Sequence, residues 1–163
     1  MTPVEKAVIE GINKGIQAEL ASYVFYRKAL DVTKDDRIKE ILEWLAGEEK
    51  QHYKLLETQH DSLIRSEKWV TYNDIMRSED LPNIDEHMEE VHDAYLDEVD
   101  ENITPKRILE IGLALEERAR DLYADLAEKM EDPKGKETYE YLVRFETGHV
   151  AKIQKLMKDM GLS

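Results

Sequence analysis

The chain has 163 residues, with 37 acidic against 23 basic side chains, a net charge of −14 and no cysteine. That charge excludes a surface built for nucleic-acid phosphates, and the missing thiols exclude disulfides, thiolate metal sites and cysteine nucleophiles. Low Gly and Pro with abundant Glu, Lys, Leu, Ala and Ile favours helix over strand; with no membrane-length apolar run and no leader-like segment, one cytoplasmic domain spanning 1–163 is expected.

Thr2-Pro3-Val4-Glu5 has the form of a helix start, with a capping hydroxyl, a proline at the first helical position and a capping-box glutamate. Ile9, Ile12, Ile16, Glu19, Tyr23, Tyr26 and Leu30 then recur at spacings of three and four, predicting a first helix from about Pro3 to Asp31. Val32-Thr33-Lys34-Asp35 reads as a short turn. The second helix carries Ile38, Leu42, Leu45, Glu49, His52, Leu56, Gln59 and Leu63 in the same rhythm and fades near Ser66. Residues 67–103 read as a long crossover, its aromatic part (Trp69, Tyr72) packing on the bundle. After the break at Leu81-Pro82-Asn83, a capped acidic helix is predicted from Asn83 and Glu86 to about Val99.

Thr104-Pro105 repeats the helix-start signal, and Leu109, Gly112, Leu113, Glu116, Ala119, Tyr123, Leu126 and Met130 form the third seam. Asp132-Pro133 starts the fourth, with Tyr139, Leu142, Glu146, His149, Ile153, Leu156 and Met160. Two hairpins, about 3–66 and 104–161, joined by a long crossover predict an all-α fold, an antiparallel four-helix bundle of the ferritin-like kind.

The second hairpin repeats the first with an offset of 97 residues. Glu49-x-x-His52 recurs as Glu146-x-x-His149, and each pair follows another glutamate, Glu19 or Glu116, by 30 positions. Gly15 with Gly112, Asp35 with Asp132 and Leu45 with Leu142 also coincide, as an internal duplication would produce. Glutamate and histidine three apart share one helix face, and two 13-residue arms joined by a short turn put residues 30 apart at about one height.

Any one of these charged residues, taken alone, reads as a solvated surface group. The set does not, because all six lie on apolar stripes, where unpaired charge is prohibitive. Two divalent cations would neutralise four carboxylates, and oxygen with imidazole donors suits iron or manganese. The predicted ligands are therefore Glu19, Glu49, His52, Glu116, Glu146 and His149. Glu57-x-x-His60 and Glu89-x-x-His92 share the short motif but have Arg27 and Gln59 at the 30-residue offset; they and His87 are read as surface groups. Tyr26 and Tyr123 could each hydrogen-bond a ligand carboxylate or serve as plain core. Gly15 and Gly112 suggest close helix approach, and Arg120 is either a carboxylate partner or a surface arginine.

These residues resemble the ligand set of the ferritin-like superfamily, and most closely that of rubrerythrin-like di-iron proteins. The resemblance implies a non-haem centre of two iron ions, or a manganese-containing variant, with Glu49 and Glu146 bridging. It implies reaction with hydrogen peroxide or dioxygen, with reducing equivalents from outside. The chain departs from the pattern twice. Without cysteine there is no rubredoxin-type module, so a separate electron-donor protein is implied. Gly112, Leu113, Ala119 and Arg120 also fill the positions where rubrerythrins place an additional glutamate. A bacterioferritin-type ferroxidase or iron store is the second expectation. It is weakened by Lys50 at the place of the haem methionine and by the lack of a fifth helix after Met160. A di-iron hydroxylase is the third, and a partner-binding bundle the non-enzymatic one. The aromatic crossover is compatible with a homodimer.

Overall fold

The computed structural model describes residues 6–162 apart from 79–80 and 82–83, and omits the side chains of residues 86, 87 and 89. Four long helices dominate: α1 (Lys6–Val32), α2 (Asp36–Ser66), α4 (Pro105–Lys129) and α5 (Pro133–Asp159), with a five-residue α3 (Tyr72–Met76) in the crossover. No strand occurs among the described residues. The predicted start at Thr2-Pro3-Val4-Glu5 and the Asn83–Glu86 cap fall outside what is described, as does His87.

The helix boundaries follow local chemistry. Asp35 caps α2 by accepting from the Arg37 and Ile38 amides at 2.8 and 3.2 Å, Thr104 caps α4 through the Arg107 amide, and Asp132 caps α5 through Lys134 and Gly135. Proline follows directly in α4 and α5, where its missing N–H costs nothing. At its far end α2 stops at Glu67, which takes a left-handed conformation (φ 59°) while its amide donates to Leu63.

α1 packs against α2 and α4, and α5 packs against α4 and more sparsely α2. Contacts between α1 and α4 fix their direction: Gly11 faces Leu126, Gly15 faces Tyr123, and Gly112 faces Tyr26. One number rises as the other falls, so α1 and α4 are antiparallel. Each hairpin is antiparallel internally, which makes α2 and α4 parallel. The connection must therefore travel the length of the bundle, roughly 40 Å for 27 residues at about 1.5 Å each. This is the ferritin-like all-α topology.

The crossover differs from expectation in its second half. The continuous acidic helix is instead two 3₁₀ segments, Asp85–Glu90 and Ala94–Glu98, separated by Val91–Asp93. Ile84 and Leu96 are buried, and Met88, Val91, Tyr95 and Val99 pack against the core. Their spacing follows the bundle's surface rather than one helical face. In the first half Trp69 docks edge-on to Tyr139, as an aromatic anchor should. Gly135 makes that docking feasible, since a Cβ there would come within 2.7 Å of the indole. Gln59, fully buried, fastens the segment by donating to the Val70 carbonyl (2.6 Å) and accepting from its amide (2.8 Å), while also donating to Thr138. Lys54 donates to the Ser78 carbonyl, Tyr23 to the Asp85 carboxylate, and Arg107 forms a bidentate pair with Glu98.

Two apolar clusters fill the bundle. One is built around Phe25, Ile38, Leu42 and Ile108, the other around Ile12, Leu56, Tyr139 and Leu142. Between them lies a polar layer.

Candidate metal centre

The six sequence-predicted side chains meet in that layer. Glu19, Glu49, His52, Glu116, Glu146 and His149 are all buried, Glu116 and Glu146 completely. They form two groups of four in which donor atoms lie within 4.8 Å of one another: Glu19, Glu49, His52 and Glu146, and Glu49, Glu116, Glu146 and His149. Glu49 and Glu146 belong to both. Each hairpin thus supplies one shared carboxylate, one unshared carboxylate and one histidine, and the two imidazoles stack at 5.4 Å, 11° from parallel.

The layer is not completed by its own hydrogen bonds. His52 Nδ1 lies 3.0 Å from Glu146 Oε1 and 3.4 Å from Glu19 Oε2, and His149 Nδ1 lies 3.2 Å from Glu116 Oε2. Yet Glu19 Oε2, Glu49 Oε1, His52 Nδ1 and both Glu146 oxygens lack a hydrogen-bond partner of acceptable direction. Close but misaligned donors converge on common points instead of on each other. Each buried orphan costs about 1–3 kcal/mol, more when charged, which an apolar layer of the same shape would avoid. Divalent cations at those points would satisfy the atoms and neutralise the carboxylates, so the residues fit the metal that the ligand set implies.

The electrostatics show what replaces cations in the bare polypeptide. Burial works against a charged His52, but the Glu19 and Glu146 carboxylates outweigh it and hold the imidazole at about 10. His149 is opposed by burial in the same way and held at about 12 by Glu116, Glu146 and Glu48. Burial, with the Glu116 and Glu19 charges, pushes Glu146 up to about 8. Glu116 stays below the usual carboxylate range because Glu146, His149 and Tyr26 offset its burial. Protons stand in for metal.

Both tyrosines reach the layer, by a route the repeat does not suggest. Tyr26 of α1 donates to Glu116 of α4 at 2.5 Å, and Tyr123 of α4 donates to Glu19 of α1. Each serves the opposite hairpin's glutamate, and burial next to that carboxylate raises both phenols well above their usual range. The two glycines prove to be seats for these rings and not points of backbone approach. A Cβ on Gly15 would lie 3.1 Å from the Tyr123 ring, and one on Gly112 3.4 Å from that of Tyr26. The Tyr26 ring therefore fills the space beside Gly112, one of the positions open to a further carboxylate. Arg120 does not approach Glu116; its guanidinium pairs with Asp121 at 3.2 Å, which settles it as a surface arginine.

Three neighbours escaped the sequence reading. Glu48 Oε1 stands 3.6 Å from His149 Nε2, Trp44 meets the His149 ring edge-on at 5.1 Å, and Phe145 tilts against His52 at 5.5 Å. Glu48 and Phe145 occupy the same place in the two repeats, directly before Glu49 and Glu146. That mismatch sits directly beside the conserved pair of the two repeats. His60 is half-buried beside Asp61 and His92 is exposed, and neither joins the cluster.

A carboxylate–histidine layer of this composition, spanning four antiparallel helices, defines a metal-binding bundle of the ferritin-like class. The rubrerythrin family model matches residues 2–60 and 107–163, both hairpins and most of the chain, and the chain belongs to the rubrerythrin family. Neither a curated protein nor a solved structure gives a significant match. No helix among the described residues is long and apolar enough to cross a membrane.

Proposed function

We propose that the layer binds two iron ions and that the protein is a non-haem di-iron oxidoreductase reducing hydrogen peroxide. The observation that supports this reading is the sharing of Glu49 and Glu146 between the two donor groups, as two cations held side by side would require. Such a pair, when reduced, supplies the two electrons that cleave an O–O bond. The polypeptide's part is positional. Glu19 with His52, and Glu116 with His149, would each hold one ion, and Glu49 and Glu146 both. Tyr123 and Tyr26 fix the unshared carboxylates by hydrogen bonds from the opposite hairpin, so neither can swing without breaking a buried contact. The apolar clusters on both sides keep water from the layer. The 163 residues contain no cysteine and so no thiolate-ligated iron; a donor outside them would restore the reduced state.

The test is to load the protein with iron, reduce it anaerobically and mix it separately with hydrogen peroxide and with dioxygen while following its absorbance. Faster oxidation by peroxide is expected, with iron content lost in Glu49→Ala and Glu146→Ala. Retention of both ions in both variants overturns the ligand assignment. Preferential reaction with dioxygen, together with assembly into a large shell, would favour a ferroxidase store instead.

A further inference from the structure

The repeat makes two equivalent grooves where α2 and α5 meet, and the crossover covers only one of them. The covered groove lies between the C-terminal half of α2 and the N-terminal half of α5. There Ser62 donates to the Lys68 carbonyl at 2.6 Å, Gln59 clamps both backbone groups of Val70, and the Tyr72 ring stacks on Tyr141 at 4.4 Å. Arg144 lies over the same Tyr141 ring at 4.5 Å. The offset of 97 residues places the second groove between the N-terminal half of α2 and the C-terminal half of α5. A space of about 370 Å³ is open there, with Ile41, Trp44 and Leu156 as its apolar members. Trp44 stands in the place of Tyr141 and likewise has a cation over its ring, Lys152 at 3.7 Å. Among the described residues no second ring stacks on it.

The differences between the grooves define what the open one suits. Gln59, which clamps the crossover backbone, is replaced by Leu156, and Ser62 by Asp159, so both contacts to peptide groups are lost. Leu55 and Thr58 are replaced by Lys152 and Lys155, and Arg37 adds a third cation beside Glu40. Lys155 is engaged by Asp159 at 2.9 Å, and Arg37 stands 3.8 Å from an Asp35 oxygen that also caps α2. Lys152 has no carboxylate partner among the described residues and rests on the indole. An ammonium held by an aromatic face instead of an acid, in a chain of net charge −14, is free to meet an anion. The groove therefore suits a planar ring bearing an anionic group, and its volume is in the range of small-molecule sites. Trp44 also leads inward. Its edge meets the His149 ring at 5.1 Å, and His149 Nδ1 faces Glu116 and Glu146, so one indole and one imidazole join the groove to the donor layer.

We propose that this groove binds free reduced flavin mononucleotide, its ring against Trp44 and its phosphate at Lys152 and Arg37, and that electrons pass from it through Trp44 and His149 to the centre. The proposal rests on the di-iron reading above and supplies the donor which that reading requires. A flavin fits better than a nicotinamide, because hydride transfer needs the reacting atoms in contact, whereas a flavin can release its electrons singly across an aromatic contact. In the step, the dihydroflavin is oxidised. It loses two electrons, which reduce the two iron ions by one each, and two protons, which pass to solvent. No covalent bond forms between flavin and protein.

The test titrates the whole chain, without metal and with manganese(II), against flavin mononucleotide and against riboflavin, which lacks the phosphate. Calorimetry and quenching of flavin fluorescence report binding. Flavin mononucleotide should bind about tenfold more tightly than riboflavin. Lys152→Gln should remove that difference and leave riboflavin binding unchanged, and Trp44→Leu should weaken both ligands and relieve the quenching. In the oxidised, iron-loaded protein, anaerobic reduction by subsaturating reduced flavin mononucleotide should slow about tenfold in Lys152→Gln. Oxidation of the reduced protein by hydrogen peroxide should keep its wild-type rate in that variant. Binding of neither flavin at millimolar concentration, or equal binding of the two, overturns the inference. Binding as expected, with equal reduction rates in wild type and Lys152→Gln, overturns the electron-donor role. The titration needs no iron, so a protein that binds flavin mononucleotide in this way but does not react with peroxide overturns the proposed function alone.

Discussion

Filling the centre with divalent metal should release about three protons at pH 7. Three groups of the metal-free layer hold a proton there: His52 at about 10, His149 at about 12 and Glu146 at about 8. A ligating imidazole nitrogen must give up its proton and a bridging carboxylate must be ionised, so each group contributes one. Titration calorimetry with manganese(II), repeated in buffers of different ionisation enthalpy, counts the protons directly. The same groups govern the stability of the metal-free fold. All three folded values lie above their unfolded ones, about 6.5 for histidine and about 4.5 for glutamate. The folded chain then binds more protons than the unfolded chain. The stability these groups contribute is complete below the unfolded value and is lost as pH rises towards the folded one. For Glu146 the loss runs between about 4.5 and about 8; for the histidines it begins near 6.5 and continues beyond 8. Within its window each group costs about 1.4 kcal/mol per pH unit. Glu116 acts with the opposite sign, but only as pH falls below its ordinary range. Metal-free protein should therefore melt at progressively lower temperature from about pH 5.5 to about pH 8.5, while the stabilisation on adding manganese grows. A proton count near zero, or a melting temperature that climbs over this interval without metal, would refute the picture of protons replacing cations.

Two further outcomes follow from the packing. Alanine at Gly112 meets only ordinary contacts, at 3.4 and 3.6 Å, so it should gain the helix-propensity benefit of about 0.5–1 kcal/mol in urea unfolding. Alanine at Gly15 meets Leu56 and Tyr123 at 3.1 Å, and overpacking of about 1–3 kcal/mol should make it net destabilising; equal signs for the two would contradict the ring-seat account. Paramagnetic cobalt(II) should quench the fluorescence of Trp44, whose ring touches His149, more than that of Trp69 at Tyr139. Trp44→Phe should abolish most of the metal-dependent quenching, and quenching that survives it would misplace the centre.

The hairpins and the clustering of the six buried side chains were legible because burial leaves a plain signature. A charge on an apolar stripe is rare, and four glutamates and two histidines obeying one repeat are rarer still. What the repeat cannot encode is contact between its copies. Tyr26 follows Glu19 by two turns, yet it bonds Glu116, because α1 and α4 run antiparallel and bring opposite ends of the two seven-residue intervals together. The second half of the crossover departs from a single helix for a related reason. Met88, Val91 and Leu96 all pack on the bundle, and the chain reaches those contacts through two 3₁₀ segments in place of one continuous helix. Arg120 could only be placed once Asp121 was seen to hold it.

The duplication also has a direction built into its exceptions. Glu48 and Phe145, and Leu55 and Lys152, are equivalent by repeat and unlike in kind, while Trp44 stands in the place of Tyr141. On one side of the layer these differences shut His149 in: Trp44, 39% exposed, lies edge-on to the ring with Lys152 over it at 3.7 Å, and Glu48 faces its outer nitrogen. On the other side Phe145 and Leu55 stand beside His52, where a pocket lined also by Glu48 lies next to Tyr72 and Met76 of α3. Two donor groups of like composition are thereby given different surroundings, His149 an indole and His52 a phenyl ring and a leucine. Because a metal's properties follow the groups around its ligands as well as the ligands themselves, the two positions should differ in affinity and in accessibility.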